Sequence, residues 1–85
     1  MKYNNCKFTL ESLISDIEEH KIYRDKGYLE QRHNKYWFIS GEISVLVSLD
    51  IISVHQGLSI IDNLYKKPDC SIKIIRNILE AFNRG

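Results

Sequence analysis

The chain has 85 residues, of which 44% are hydrophobic and 27% charged, and its formal net charge is +1. This length suits one domain with a modest core. The near balance of 12 basic and 11 acidic residues excludes the basic excess that general nucleic-acid and membrane-surface binders carry. Two cysteines are too few for a disulfide-stapled secreted domain. Because the N-terminal segment lacks the apolar core of a signal peptide and no run of about 18 apolar residues occurs, we expect a cytoplasmic protein.

The first element in chain order is a helix that begins after Thr9 and ends at Gly27. Thr9 is a suitable N-cap, and apolar residues then recur at helical spacing as far as Ile17. We expect the acidic residues of this helix, including Asp16 and Glu19, to lie on its solvent side. The roughly eight residues before the N-cap are predicted to be an extended or loose segment in front of a single helical domain.

Residues 29–50 are the segment on which the fold class depends. Its apolar residues fall in two stripes on opposite sides of a helix. The alternative is an α+β fold with a short hairpin around residues 36–49, but in a strand Leu46 faces the wrong way, and Gly-Glu is not a favoured two-residue turn. We therefore predict an all-α fold, a small bundle of three or four helices. One stripe consists of Leu29, Tyr36, Ile39, Ile43, Leu46 and Val47, and the other of Phe38, Val45 and Leu49.

Two further helices complete the predicted bundle. Ser53 and Gln56 have the spacing of a capping box, which predicts a third helix beginning at Ser53. Pro68 ends this helix, and a fourth helix starts near Asp69 or Ser71. The apolar face of the third helix comprises Val54, Leu58, Ile61 and Tyr65, and that of the fourth comprises Ile72, Ile75, Leu79 and Phe82.

The sequence contains no recognisable pattern of catalytic, cofactor-binding or metal-binding residues. His20, His33 and His55 are far apart, with no C-x-x-C or H-E-x-x-H motif, and we expect all three on solvated helix surfaces. Glu18 and Glu19 are adjacent on a helix and point about 100° apart, so they do not form a catalytic carboxylate pair. The sequence therefore predicts a protein that is not an enzyme and that needs no cofactor or metal.

A helix that is apolar on two sides must be covered on two sides. Either the second helix is the central element that the other three helices surround, or another chain completes part of its surface. We expect a protein-binding module, a small regulator, adaptor or inhibitor, that docks a helical face on a partner protein, with a homodimer through the second and fourth helices as one form. Abundant isoleucine and scarce alanine suggest a bacterial or phage gene rich in A and T. The candidate partner-binding residues are Tyr23, Arg24, Tyr28, Arg32, Trp37, Phe38, Val45 and Leu49.

The alternative function is that of a small helix-turn-helix DNA-binding transcriptional regulator, built on Leu46–Tyr65. Ile51 stands where such turns favour glycine, the third helix is largely apolar, and the chain lacks the positive charge that phosphate binding needs. Nucleic acid is therefore the less favoured partner. In this alternative His55, Gln56, Ser59 and Asn63 contact the bases, and Lys66 and Lys67 contact the phosphates.

Overall fold

The computed structural model describes the backbone of residues 2–84 and the side chains of Lys7 and residues 9–84. Within this range the chain forms helices and no strand, so the predicted all-α bundle is confirmed and the alternative hairpin around residues 36–49 is wrong. The helices are α1 (Lys2–Lys26), α2 (Leu29–Ser48), α3 (Val54–Asn63) and α4 (Pro68–Arg84).

The helix α1 begins at Lys2, where the sequence predicts a loose segment of about eight residues and an N-cap at Thr9. That prediction is wrong. Neither proline nor glycine occurs in residues 2–8, and a helix that has already formed is extended at little cost because each added residue contributes a hydrogen bond. Thr9 consequently lies inside the helix.

Both α1 and α2 are followed by a residue with left-handed backbone, Gly27 at φ +73° and Asp50 at φ +58°. After α2, the N–H of Asp50 donates to the carbonyl of Val47 and the N–H of Ile51 to that of Leu46, each at 3.0 Å. These two bonds form a Schellman motif, which ends a helix and turns the chain. The predicted stop at Gly27 is confirmed, and an aspartate fills the equivalent place before α3.

Replacing Gly27 with alanine is expected to lower the free energy of unfolding by about 1 kcal/mol. Nothing lies within 4 Å of the added methyl group, so the cost comes from the left-handed backbone alone. Gly41→Ala is the control, because Gly41 lies inside α2 with equally free space around it. There alanine should stabilise the dilute chain by up to about 1 kcal/mol. Urea unfolding followed by circular dichroism measures both changes. Changes of the same sign would contradict the left-handed backbone at Gly27 and the helical backbone at Gly41.

The predicted starts of α3 and α4 are confirmed, but the prediction that Pro68 ends the third helix is wrong, because α3 stops at Asn63. The N–H of Gln56 donates to Ser53 Oγ at 3.0 Å, and the N–H of Ser53 donates to Gln56 Oε1 at 2.8 Å, which completes the capping box. Pro68 is the first residue of α4, a position that needs no N–H donor. Ser71, fully buried in α4, donates its hydroxyl to the carbonyl of Ile60 at 2.7 Å and so ties α4 to α3.

One hydrophobic core joins the four helices. The helix α1 packs against α2 and α4, and α3 packs against α4 and α2. The predicted apolar positions of α1 are all buried, but Leu29, at the start of α2, is 66% exposed. The core is formed by Leu10, Leu13, Ile14, Ile17, Ile39, Ile43, Leu46, Ile52, Ile60, Leu64, Ile72, Ile75 and Ile78.

The helix α3 is not buried on the apolar face that its sequence marks. Instead Gly57 and Ile60 point into the structure. A Cβ atom at Gly57 would lie 3.0 Å from Ile43 Cγ2, so this glycine lets α3 approach α2 closely. The marked face lies largely in solvent, since Val54 is 60% and Leu58 is 55% exposed. The bundle therefore leaves apolar surface uncovered on α3 as well as on α2.

Candidate protein-docking surface

The side of α2 that faces away from the core carries large apolar side chains in solvent. Trp37, Phe38, Val45 and Leu49 are 62%, 59%, 54% and 58% exposed, respectively. Small exposed residues lie between them. A contiguous apolar patch on a soluble protein often marks an interaction site. We define the outer face of α2 as Trp37, Phe38, Gly41, Ser44, Val45, Ser48 and Leu49.

The outer face is almost free of charge. From Tyr36 to Leu49, Glu42 is the only acidic or basic residue. This stretch corresponds to about 20 Å of helix. Helices on the surface of a monomer usually place charged side chains toward solvent, whereas the centres of protein interfaces are depleted in charge. The outer face has the character of an interface.

A groove of about 360 Å³ runs between α2 and α3 beside the outer face. Val54 and Leu58 form its wall on α3, and Ser44 and Ser48 form part of its wall on α2. Because these two serines also belong to the outer face, the groove and the outer face are one continuous surface. The residues that line the groove are Ile43, Ser44, Val47, Ser48, Val54, Gly57, Leu58 and Ile61.

The eight residues predicted to contact a partner fall into two groups, which meet where Tyr23 and Phe38 line one shallow groove. Half of them lie on the outer face: Trp37, Phe38, Val45 and Leu49. The other half lie at the corner between α1 and α2, and only one of these four side chains is exposed rather than half-buried. The corner residues are Tyr23, Arg24, Tyr28 and Arg32.

The two arginines of this corner make contacts within the chain. Arg24 Nη1 donates to the carbonyl of Tyr65 at 2.6 Å, and the Arg32 guanidinium lies 4.7 Å from the centre of the Tyr65 ring. The hydroxyl of Tyr23 donates to Glu19 at 3.4 Å. The two arginine contacts hold the segment after α3 against the corner. The prediction that the arginines form the rim of an interface therefore has less support than the prediction that the outer-face residues contact a partner.

The residues proposed to contact DNA in the alternative function lie on α3 and just after it. Gln56 accepts the N–H of Ser53, and Asn63 Nδ2 donates to the carbonyl of Ser59 at 2.8 Å. Two of the four side chains proposed to read bases are therefore engaged with the local backbone. Asp62 also adds an exposed negative charge to α3, which opposes phosphate binding. The exposed members of this set beyond Gln56 are His55, Lys66 and Lys67.

Four ionisable residues, which we call the carboxyl cluster, join α1 to α2: Asp16, Glu19, Lys35 and Glu42. Lys35 Nζ lies 3.4 Å from Asp16 Oδ1 and 3.5 Å from Glu19 Oε2, and the carboxyl group of Glu42 lies beside that of Asp16. Asp16 is only 8% exposed, so the expectation that it lies in solvent is wrong. Periodicity within α1 did not reveal that α2 would supply a lysine and a carboxyl group to cover it.

The carboxyl group of Glu42 is harder to ionise than that of an exposed glutamate. Asp16 Oδ2 and Glu42 Oε1 are both buried, and neither meets a donor unless one of the two carboxyl groups is protonated. Burial, the hydrogen bond to Asp16 and the negative charge of Asp16 together raise the pKa of Glu42 to about 8, although Lys35 opposes them. The one carboxyl group between Tyr36 and Leu49 therefore favours its neutral form. That isolated glutamate was the only sequence signal of the cluster.

The contribution of Glu42 to stability is expected to be lost as the pH rises through about 8. Between the unfolded pKa of 4.5 and this value, the folded chain holds a proton that the unfolded chain releases, so raising the pH favours unfolding. Glu42→Gln keeps a neutral donor toward Asp16 and should remove this loss. Urea unfolding at about pH 7 and about pH 9 measures the difference. Equal losses in the wild type and the variant would contradict the raised pKa.

His20 is only 3% exposed, so the expectation that it lies on a solvated surface is wrong. It follows Ile17 by three residues and Leu13 by seven, which places it on the core side of α1. Burial, together with the positive charges of Arg32 and Arg24, lowers the pKa of His20. The other two histidines are exposed, as expected.

No three His, Cys, Asp or Glu side chains among the described residues are grouped as a metal ion would require. Within residues 2–84, no helix combines the length and hydropathy needed to cross a bilayer. Comparisons with protein-family models, with curated protein sequences and with solved structures found no match to this chain.

Proposed function

We propose that this chain is a protein-binding module, a small regulator, adaptor or inhibitor, that docks another protein chain on the outer face of α2. The observation that supports it most is the exposure of four large apolar side chains on a helix face whose own residues carry no charge. Each Å² of apolar surface removed from water contributes roughly 25 cal/mol, so covering this face is favourable. The proposal includes a cytoplasmic location and no catalytic role.

Docking on this surface uses two kinds of residue. Trp37 and Phe38 are adjacent on α2 and project from opposite edges of the outer face. They serve as anchors, the role that large aromatic side chains play in most interfaces. Gly41 and Ser48 leave the helix backbone open to close approach by a partner helix. The polar residue Asn34, exposed one turn before the anchors, belongs to the rim.

The proposal is tested by capture of proteins from an extract of the native host. The immobilised wild-type chain and Phe38→Glu are compared with His55→Glu, which places the same charge at an exposed position of α3 outside the outer face. The wild type and His55→Glu should retain the same bound protein, and Phe38→Glu should lose it because an unpaired charge would be buried. Identical capture by all three chains would contradict docking on the outer face.

We expect the chain not to bind random duplex DNA even at low salt. The net charge is +1, and non-specific binding to DNA depends on the release of counterions by clustered basic residues. Fluorescence anisotropy of a labelled duplex, measured at low and moderate salt, checks this. Binding that weakens steeply with salt, and that Lys66→Glu abolishes, would support the helix-turn-helix alternative instead.

A further inference from the structure

We infer that the chain docked on the outer face is a second copy of this protein, paired through antiparallel α2 helices related by a two-fold axis. This inference rests on the proposed function and names its partner. It is carried by the order of large and small residues along the outer face, by its lack of charge, and by the apolar area that it leaves exposed.

The order of residues along α2 matches an antiparallel copy of itself. Phe38, Gly41, Val45 and Ser48 follow the three-and-four spacing of a helix–helix seam, with large and small residues alternating. When two such helices run antiparallel with Phe38 opposite Ser48, Val45 lies opposite Gly41 in the same register. This follows because Gly41 comes three residues after Phe38, and Ser48 comes three residues after Val45. Each large side chain then meets a small one, which allows the backbones to approach closely.

The same register uses the groove between α2 and α3. Trp37 and Ser44 lie on the same edge of the outer face, seven residues apart, and Ser44 lines the groove. A two-fold axis perpendicular to antiparallel helices keeps this edge on the same side in both copies. Trp37 of one copy therefore reaches the groove of the other near Ser48 and Val54. The exposed indole and the open apolar groove are complementary parts of one interface.

Charge and area are consistent with a second copy. In a symmetric pair the same patch meets itself, so a charged face would repel its copy. The only carboxyl group between Tyr36 and Leu49, that of Glu42, has a raised pKa. The ammonium of Lys35 lies 5.5 Å from the centre of the Phe38 ring and is paired with Asp16 and Glu19. The large side chains of the outer face, together with Val54 and Leu58, expose on the order of 700 Å² per copy, against about 800 Å² per partner in a standard interface. Antiparallel helix dipoles also attract each other.

The register is tested by cross-linking single cysteines, after Cys6→Ser and Cys70→Ser. The two-fold axis places the two copies of residue 44 about 3 Å apart along the helix axis and the two copies of residue 34 about 27 Å apart. A short bismaleimide should therefore link Ser44→Cys into a dimer and leave Asn34→Cys unlinked, although both positions lie on the outward side of α2. Linkage of Asn34→Cys as efficient as that of Ser44→Cys would overturn the antiparallel register.

Sedimentation equilibrium of the purified chain into the high micromolar range gives a second readout. The wild type should dimerise. Gly41→Leu should dimerise at least tenfold more weakly, because the leucine fills the space opposite Val45. In dilute solution the Gly41→Leu chain should unfold no more easily than the wild type. A wild type that stays monomeric overturns self-docking. If Phe38→Glu nevertheless loses a host protein that the wild type captures, the proposed function stands with a different partner. If Phe38→Glu captures the same proteins as the wild type, the proposed function and self-docking both fail.

Discussion

Leu46→Ala is expected to lower the free energy of unfolding by about 2–5 kcal/mol, a large part of the total stability of so small a domain. Leu46 is 1% exposed and packs in the core shared by the helices, so truncation removes buried apolar surface and leaves a cavity. Urea or thermal unfolding followed by circular dichroism at low micromolar concentration measures the change.

Leu49→Ala is the matched control, because it makes the same chemical change three residues later, at the C-cap of α2. Leu49 is 58% exposed on the outer face, so in the dilute chain its truncation should change the free energy of unfolding by less than about 0.5 kcal/mol. Similar losses at both positions would mean that α2 is buried on two sides within one chain, and the outer face would not be available to a partner.

Val45→Glu is expected to weaken the dimer by more than about a hundredfold, since an unpaired charge buried in an interface costs several kcal/mol and 1.4 kcal/mol corresponds to a factor of ten. Val45 is 54% exposed in the single chain, so the same substitution should leave folding intact. Ile22→Glu is the control, because Ile22 is 49% exposed but lies on α1. Sedimentation equilibrium of the three chains measures the effect. Dimers of equal strength in all three would place the interface elsewhere.

Most helix boundaries were predictable because the residues that start and end a helix act locally. The capping box at Ser53 and the glycine after α1 are each specified by a few neighbouring residues and by the hydrogen bonds that helix ends lack. Pro68 was assigned to the end of the third helix, whereas it opens α4. The N-terminal extension of α1 to Lys2 was missed because no strong signal marks the start of a helix there. Thr9 can serve as an N-cap, yet nothing before it prevents helix.

The exposure of individual faces was harder to predict, because it depends on which helices become neighbours. The apolar periodicity of α3 marks Val54 and Leu58, yet the bundle buries the glycine side of this helix, where α2 can approach. The two stripes of α2 were predicted correctly as opposite faces, and the structure shows which of them lacks cover within the chain. Periodicity identifies a face, whereas only tertiary packing decides its surroundings.

The buried polar residues could not be predicted from one helix at a time. Asp16 lies among acidic residues in the sequence, and it is the lysine and glutamate of α2 that make its burial tolerable. His20 shares the spacing of the core residues of α1, which was a usable signal, but a histidine is also common on helix surfaces. Partners supplied by other helices decide the protonation of such groups.

The central claim, that the outer face of α2 is an interface between copies of this chain, is tested most directly by the fluorescence of Trp37, the only tryptophan. Its indole is 62% exposed in the single chain. As the protein concentration rises, its emission should shift to shorter wavelength and its quenching by iodide should decline, and neither change should occur in Val45→Glu. Emission and quenching that stay those of a solvated indole at every concentration would contradict the claim.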